Sequence, residues 1–317
     1  MKPLLLLVTI AGLAQAPAAP PLQAPVAPPP GTDIYLVAIP NGLASMRTAK
    51  PVPVSVAAGY DNQPNFSPDG NRILFAGNRD GKQIDIYAFD RGTNRVTQLT
   101  QTAENENSPT HVPAGVGSPG SFTVVQSEFE KSGARPASPI QRLWRFDAQG
   151  KSPALILADI NPVGYHAWMN TDQLVLFVLG DQGKPSTLRV ASIKTGKAEV
   201  AAENIGRSLH RIPGTALASF VHRAGEAYTV KQIDPSTKSI EPLIDAVQGS
   251  SERDMAWMPD GKTILMSSGA KVFSWTRGQS GWTEVFDAVP HNLGAITRLS
   301  VSPKGDAVAI VVAEAKK

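Results

Sequence analysis

The chain has 317 residues, of which 18% are charged and 42% apolar, and its 30 Lys and Arg against 27 Asp and Glu give a formal net charge of +3. This balance is typical of a folded globular protein and excludes an intrinsically disordered one. Because no block of like charge occurs, the sequence predicts neither nucleic-acid binding nor a basic membrane-binding face.

The first residues have the pattern of a secretory signal peptide. Lys2 precedes an apolar run from Leu4 to Leu13, and small residues suited to signal peptidase follow. The run of about ten residues is too short to span a bilayer of roughly 30 Å, so we expect cleavage after Ala18 rather than a membrane anchor. The sequence therefore predicts a signal peptide at 1–18, a periplasmic location, and no membrane insertion after cleavage.

A Pro/Ala-rich spacer at 19–31 comes next, and its composition predicts a semi-extended segment outside any core. The chain contains no cysteine, and hence neither a disulfide nor a lipid-attachment site. This composition is compatible with a bacterial periplasm.

The segment after the spacer contains the clearest copy of a repeated unit. Ser67-Pro68-Asp69-Gly70 fits a type I turn, and "RILFAG", "DIYAFD" and "VTQLT" follow as strands separated by further turns. The turn returns as "MPDG" at 258–261 and "SPKG" at 302–305, and weaker copies lie between the first copy and residue 258. The positions aligned with the turn proline are Pro68, Pro113, Asn170, Pro213, Pro259 and Pro303. They are 45, 57, 43, 46 and 44 residues apart, and an insertion explains the one long spacing.

A period of about 40–45 residues with four strands per unit is typical of a β-propeller blade. The sequence therefore predicts an all-β, six-bladed β-propeller at 32–317, with four antiparallel strands in each blade. The C-terminal "LSVSPKGDAVAIVVAE" supplies two strands of the last blade, and the N-terminal "TDIYLVAI" and "VPVSVAA" supply the other two. This sharing closes the ring and leaves no open sheet edge. A β-sandwich with coincidental Asp-Gly turns is the alternative.

The unit from Pro64 to Thr100, with "NFSPDGNRILF" and "IDIYAFD", resembles the WD40-like propeller repeat of the TolB family. The resemblance extends to Trp257–Gly261 and Val301–Gly305. It implies a periplasmic propeller, since TolB binds an outer-membrane lipoprotein and the Tol inner-membrane machinery. It covers the propeller part alone, because the spacer stands where TolB carries an N-terminal α/β domain.

The sequence carries no motif of a hydrolase nucleophile, P-loop, zinc protease or EF-hand, so we predict no catalytic residue, no metal ligand and no cofactor. His111, His166 and His210 precede the turn in three successive units and could suggest a channel metal site. They lie two, four and three residues before the turn position. Because side chains alternate along a strand, we expect His210 to point away from the other two, which argues against a shared site.

A ring of polar residues precedes the turn by five or six positions in each unit, where the innermost strands should converge on the channel. The candidate binding residues of this ring are Asn62, Asn107, Tyr165, Arg207, Arg253, Asp254 and Arg298. Its three arginines suit a carboxylate or an acidic segment, whereas a solvated loop without function is the alternative. The charged insertion at 128–139 is a second candidate docking surface.

These observations predict an exported, non-enzymatic protein-binding or scaffold module of the bacterial envelope. We expect a monomer whose partner is another envelope protein or an acidic peptide segment. The alternative is a propeller enzyme, a glycan lyase, lactonase or hydrolase, that uses residues at the central channel. Acids or histidines converging on the axis would favour that enzyme.

Overall fold

The computed structural model describes residues 29–79, 81–128, 140–181, 183–250 and 254–314. The predicted signal peptide at 1–18, the spacer up to residue 28, Arg253 and residues 129–139 of the insertion lie outside the described residues. Within the described residues, no helix is long and apolar enough to cross a membrane.

Regular structure in the described residues is almost entirely β. The first strands in chain order are β1 (Thr32–Ala38), β2 (Val52–Ser55), β3 (Tyr60–Phe66), β4 (Arg72–Asn78), β5 (Asp85–Asp90), β6 (Arg95–Gln98), β7 (Asn105–His111) and β8 (Phe122–Glu128). The next are β9 (Ile140–Phe146), β10 (Ala154–Ile156), β11 (Val163–Trp168), β12 (Gln173–Val178), β13 (Thr187–Ser192), β14 (Lys197–Glu203), β15 (Ile205–Arg211) and β16 (Ala218–Ala224). The last are β17 (Ala227–Ile233), β18 (Ile240–Asp245), β19 (Met255–Trp257), β20 (Thr263–Ser268), β21 (Lys271–Thr276), β22 (Thr283–Asp287), β23 (Ile296–Val301) and β24 (Ala307–Ala313). Two short 3₁₀ helices, Leu43–Thr48 and Val289–His291, lie between strands.

These strands group into four-stranded antiparallel blades. Blades 1 to 5 are β3–β6, β7–β10, β11–β14, β15–β18 and β19–β22, and blade 6 combines β23 and β24 with β1 and β2. A single parallel bridge between Thr32 and Tyr60 joins blade 6 to blade 1. The predicted multi-blade, all-β propeller is confirmed.

The repeated Asp-Gly motifs form turns, as the sequence predicts. In blade 1 the Gly70 amide donates to the Ser67 carbonyl at 2.8 Å, and Ser67 in turn donates from its amide to the Arg72 carbonyl at 2.8 Å. Gly70 has a φ of 69°, a left-handed conformation that glycine adopts without steric cost. Gly261 and Gly305 close equivalent turns with φ values of 63° and 70°. The motifs are therefore structural elements of the blade.

The ring closes through the pairing of the two ends of the chain. β1 lies antiparallel to β24, from Thr32 opposite Ala313 to Ala38 opposite Ala307. The alternate residues Val308 and Ile310 of β24 are fully buried, as are Ala309 and Val311 on its other face. A strand with both faces covered reads as a continuous apolar run, which explains "AVAIVVA".

The apolar core of the described residues lies between the blades. Six buried clusters occur, and each combines side chains of two neighbouring blades, including one between blades 6 and 1. Trp168 lies in the cluster between blades 2 and 3, and Trp257 in the cluster between blades 4 and 5. Because the blades pack face to face around the ring, their innermost strands are brought together at its centre.

Candidate functional site

A cavity of about 290 Å³ lies where the innermost strands converge. Its walls come from 63–65 on β3, 108–111 on β7, 165–168 on β11, 207–211 on β15, Asp254 beside β19, and 298–299 on β23. Each of the blades contributes to this wall. The cavity is therefore the central channel of the propeller.

Four of the predicted binding residues line this channel: Tyr165, Arg207, Asp254 and Arg298. They come from blades 3, 4, 5 and 6, so tertiary structure brings together side chains that are far apart in the sequence. Arg253 lies outside the described residues.

Asn62 and Asn107 do not belong to the channel wall, where their neighbours Gln63 and Ser108 lie instead. β3 and β7 each have a bulge at this point, and Gln63 and Ser108 adopt left-handed φ values of 57° and 53°. Gln63 and Ser108 lie five residues before the turn position, as Tyr165, Asp254 and Arg298 do, so this position of the repeat borders the channel, whereas Asn62 and Asn107 lie one residue earlier. Asn62 is buried, and its amide nitrogen donates to the Thr32 hydroxyl at 3.2 Å.

Arg298 is the central cation of the site, and only 11% of its side chain is exposed. Its Nη2 donates a hydrogen bond of 2.8 Å to the Tyr165 hydroxyl, and its guanidinium carbon lies 5.1 Å from the centroid of the Tyr165 ring. Burial opposes the charge of Arg298, but Tyr165, Asp254 and Tyr60 outweigh burial and raise the pKa of Arg298. Arg298 is thus held as a buried, permanently charged group.

Asp254 is the carboxylate nearest to this cation. Its Oδ1 lies 3.7 Å from Arg298 Nη1, whereas its Oδ2 accepts a hydrogen bond of 2.8 Å from the Leu299 amide. The backbone therefore fixes the carboxylate more closely than the guanidinium does.

Arg207 and Tyr60 complete what we call the arginine cluster: Tyr60, Tyr165, Arg207, Asp254 and Arg298. Arg207 Nη2 donates to the carbonyl of Thr297, the residue before Arg298, at 3.2 Å. Burial raises the pKa of Tyr60 to about 12, and Arg298 and Arg207 both act in the opposite direction. Of its charged members, Arg207 and Arg298 are cations and Asp254 is a carboxylate. The sequence offered no signal for Tyr60, which lies outside the aligned positions.

His111, His166 and His210 all line the channel. His166 Nε2 lies 2.7 Å from the Thr123 hydroxyl and His111 Nδ1 lies 3.3 Å from Asn65 Oδ1, so both face the preceding blade. His210 interacts electrostatically with Asp254 of the following blade. His210 therefore points opposite to His111 and His166, as the alternation along the strand predicts, although all three residues border the channel. The innermost strand of each blade runs along the channel, and its two faces are turned towards the two neighbouring blades. Residues on either face of this strand can therefore border the channel.

The channel histidines are uncharged at neutral pH. Burial lowers the pKa of His166 to about 3 and that of His111 to about 4, and it also lowers the pKa of His210. Such imidazoles are weak bases and hydrogen-bonding groups without charge. Among the described residues, no three His, Asp or Glu side chains are placed to hold a metal ion.

Solved structures with the same fold include TolB proteins. A putative TolB from Agrobacterium tumefaciens superposes with a TM-score of 0.65 at 16% identity, covering 89% of this chain and 98% of that chain. TolB from Acinetobacter baumannii gives a TM-score of 0.53 at 15% identity, covering 90% of this chain but 65% of that longer chain. An oligogalacturonate lyase in complex with manganese gives a TM-score of 0.50 at 13% identity, covering 79% of this chain and 88% of that chain.

No family model matches the sequence, and no curated protein matches it either. At these identities the structural likeness establishes the fold, which is a TolB-like β-propeller.

Proposed function

We propose that this TolB-like propeller is an exported, non-enzymatic binding module of the bacterial envelope that takes up an acidic segment of a partner protein at its channel. The observation that carries the proposal is the arginine cluster, in which Arg207 and Arg298 both line the channel and Arg298 lies 3.7 Å from the carboxylate of Asp254. Arginine side chains in a channel favour an anionic group, and charge-assisted hydrogen bonds to arginine are among the stronger polar contacts.

Two sequence features support the envelope as the place of action. The pattern at 1–18 is that of a secretory signal peptide, and the repeat at 64–100 resembles that of a periplasmic family. Export and partner binding together describe a scaffold rather than a catalyst.

A propeller enzyme acting on an acidic glycan is the second candidate, and the three channel histidines are the observation that favours it. A neighbouring fold belongs to an oligogalacturonate lyase. Against this candidate, the low pKa values of His111 and His166 make these imidazoles poor general bases.

Affinity capture from an envelope extract tests the proposal. The wild-type chain is compared with R207Q/R298K, which weakens the arginine cluster, and with R95Q, which removes an exposed charge from the outermost strand of blade 1. We expect a partner that the wild type and R95Q recover equally and that R207Q/R298K recovers at least tenfold less. Equal recovery by all three chains would exclude the channel as the binding surface. Turnover of oligogalacturonate by the purified wild type would establish the enzyme instead.

A further inference from the structure

We propose that the channel is a blind pocket, closed at one level by a bridge between Arg298 and Tyr165, and that a partner enters it from the face of the propeller that bears the repeated turns. This inference deepens the proposed function, on which the identity of the guest rests, by naming the surface on which the partner docks and the depth that its acidic segment reaches. It follows from the bonding of six equivalent channel residues and from the position of the cavity relative to them.

Six equivalent residues, which we call the collar, surround the channel at one level. Each lies five residues before the turn position of its blade, and all six border the cavity: Gln63, Ser108, Tyr165, Ser208, Asp254 and Arg298. Three of these side chains accept a hydrogen bond from a backbone amide of the next blade, at 2.6 Å for Gln63, 3.0 Å for Ser208 and 2.8 Å for Asp254. The Ser108 hydroxyl lies 3.5 Å from a backbone carbonyl of the next blade. These four members of the collar therefore hold neighbouring blades together.

The other two members of the collar bind each other. Arg298 Nη2 donates to the Tyr165 hydroxyl at 2.8 Å, and this bond joins blade 6 to blade 3. The apolar clusters between neighbouring blades leave two blades between these in either direction, so the bond crosses the channel. Arg207 adds a second link that skips a blade, because its Nη2 donates to the Thr297 carbonyl at 3.2 Å and joins blade 4 to blade 6. We call these two links the channel bridge.

The channel bridge is buried although it crosses the centre of the propeller. Only 11% of the Arg298 side chain is exposed, whereas an arginine that crossed an open, water-filled channel would keep its charged end in water. Tyr60 begins β3, on the side of the bridge away from the turns, and interacts electrostatically with Arg298, Tyr165 and Arg207. The Tyr165 ring packs edge-on against Phe177, with ring centroids 5.7 Å apart. Side chains therefore fill the channel at this level and hold the bridge in place.

The cavity lies on one side of the channel bridge. Among the described residues, every wall residue other than Arg207 belongs to the collar or lies between the collar and the turn of its blade. His111 and Arg211, which are two residues before their turn positions, still border the cavity, and Arg211 is exposed. The cavity therefore extends from the bridge towards the turns, with Arg211 at its mouth and the bridge as its floor.

A pocket with a floor selects the kind of guest. Its volume of about 290 Å³ lies at the lower end of the range for small-ligand sites, which begins at roughly 300 Å³. A chain end or a projecting side chain fits such a pocket, whereas a segment that had to thread through the propeller does not. The rest of the partner would then lie on the face that carries the turns at 67–70, 258–261 and 302–305.

Thiol labelling of the full chain tests the closure, because the chain has no cysteine of its own. T110C places a thiol on the cavity wall and R211C places one at the mouth. L179C is the matched control on the opposite face, where the exposed Leu179 lies beside Gly164. In T110C/R211C and T110C/L179C, a maleimide linked to streptavidin, which is far larger than the cavity, is first attached to the exposed thiol. The alkylation of T110C by iodoacetamide is then followed by mass spectrometry.

We expect streptavidin at position 211 to slow this alkylation at least tenfold relative to T110C alone, and streptavidin at position 179 to leave the rate unchanged. Equal rates in all three proteins, or slowing by the label at position 179, would overturn the inference.

Y165A and R298A assign the closure to the channel bridge. Each removes one half of the bond that crosses the channel, so in the chain blocked at position 211 we expect either substitution to restore the alkylation of T110C through the opposite face. Circular dichroism and a cooperative thermal transition identify the variants that keep the fold. Alkylation that stays blocked in a folded variant would contradict the bridge as the floor. The comparison of positions 211 and 179 is independent of whether either variant folds.

The two proposals can fail separately, because the labelling requires no partner. If the label at position 179 blocks the cavity, the entry route is wrong, whereas loss of the envelope partner by R207Q/R298K still supports the binding module. If R207Q/R298K keeps the partner, the proposed function fails and the closed pocket stands. If both hold, the chain labelled at position 211 should recover that partner at least tenfold less than the chain labelled at position 179. Equal recovery would show that the partner docks on another surface.

Discussion

At the scale of single residues, a buried pair of acids distinguishes the interface between blades 1 and 2. Glu106 on β7 is fully buried and accepts hydrogen bonds of 3.0 Å from the Thr100 hydroxyl and the Gln126 amide. The carboxyl group of Asp85 on β5 lies close enough to interact with it. Burial raises the pKa of Asp85. Burial also raises the pKa of Glu106, to about 7, and the charge of Asp85 adds to this effect. Two such carboxyl groups are most stable when they share a proton.

This pair predicts a fall in stability as the pH rises through about 7. Because the pKa of Glu106 is raised from 4.5 in the folded state, its contribution is complete below that value and is lost above about 7. The free energy of unfolding should fall by at most about 3 kcal/mol, because a pKa shift of one unit corresponds to about 1.36 kcal/mol. Thermal unfolding between about pH 5 and 8.5 should show this fall in the wild type but a flatter profile in E106Q. E203Q, which removes an exposed charge from β14, should follow the wild type, and parallel profiles for E106Q and the wild type would argue against the shared proton.

At the scale of elements, a tryptophan on an innermost strand ties its blade to the preceding one. Trp168 Nε1 donates to the Thr123 hydroxyl at 3.0 Å, and Trp257 Nε1 donates to the Ser219 hydroxyl at 2.8 Å. The two hydroxyls occupy equivalent places on β8 and β16, and both residues are fully buried. This hydrogen bond recurs because Trp168 and Trp257 hold the same position of the repeat. In blade 2 the hydroxyl of Thr123 also contacts His166, so it has two partners in the next blade.

Removing these hydroxyls should destabilise the propeller to different extents. T123V leaves both Trp168 and His166 without the hydroxyl, whereas S219A affects Trp257 alone. Each buried group left without its partner costs about 1–3 kcal/mol, so T123V should lose more stability than S219A in urea unfolding. A T123V/W168F double-mutant cycle should give a coupling energy above about 0.5 kcal/mol. Additive effects would mean that the hydrogen bond contributes nothing beyond packing.

At the scale of the whole molecule, the N-terminal strands protect the edge of β24. β1 covers this edge along its full length and pairs with β2 on its other side. Without them, β24 would expose unpaired backbone groups and the apolar side chains of Val308 and Ile310, which is the situation that leads to edge-to-edge association. We therefore expect ring closure to protect the chain from edge-to-edge association.

Deleting residues 29–56 should convert the protein to oligomers or aggregates and broaden its unfolding transition, as measured by light scattering with size-exclusion chromatography. The matched control is a circular permutant that begins at residue 57 and joins residue 314 to residue 31. The Glu314 amide already donates to the Gly31 carbonyl at 3.0 Å, so this junction requires little rearrangement. We expect the permutant to remain dispersed and cooperative, since it keeps the pairing of β1 with β24. Aggregation of both chains to the same degree would show that closure is not the cause.

The fold could be predicted because its evidence repeats along the chain. Turn motifs at Pro68, Pro259 and Pro303 recur at nearly constant spacing, and the end segments supply complementary halves of one blade. Each copy has the same local pattern, in which Asp-Gly turns join apolar strands that are covered on both faces.

The site could be predicted only in part, because it depends on how the copies meet. Aligned positions identified Tyr165, Arg207, Asp254 and Arg298 as neighbours around one axis, and the structure places all four on the channel wall. The sequence alone therefore determined a repeated, closed β architecture and a polar channel. Only tertiary structure decided that Gln63 and Ser108 rather than Asn62 and Asn107 lie on the wall, that Tyr60 joins the two arginines, and that all three histidines border the channel. The physical reason is that the alternation of side chains along a strand is a local property, which the sequence shows. The channel is formed by the innermost edges of separate sheets, and the residues of each strand that border it depend on bulges and on the packing between blades.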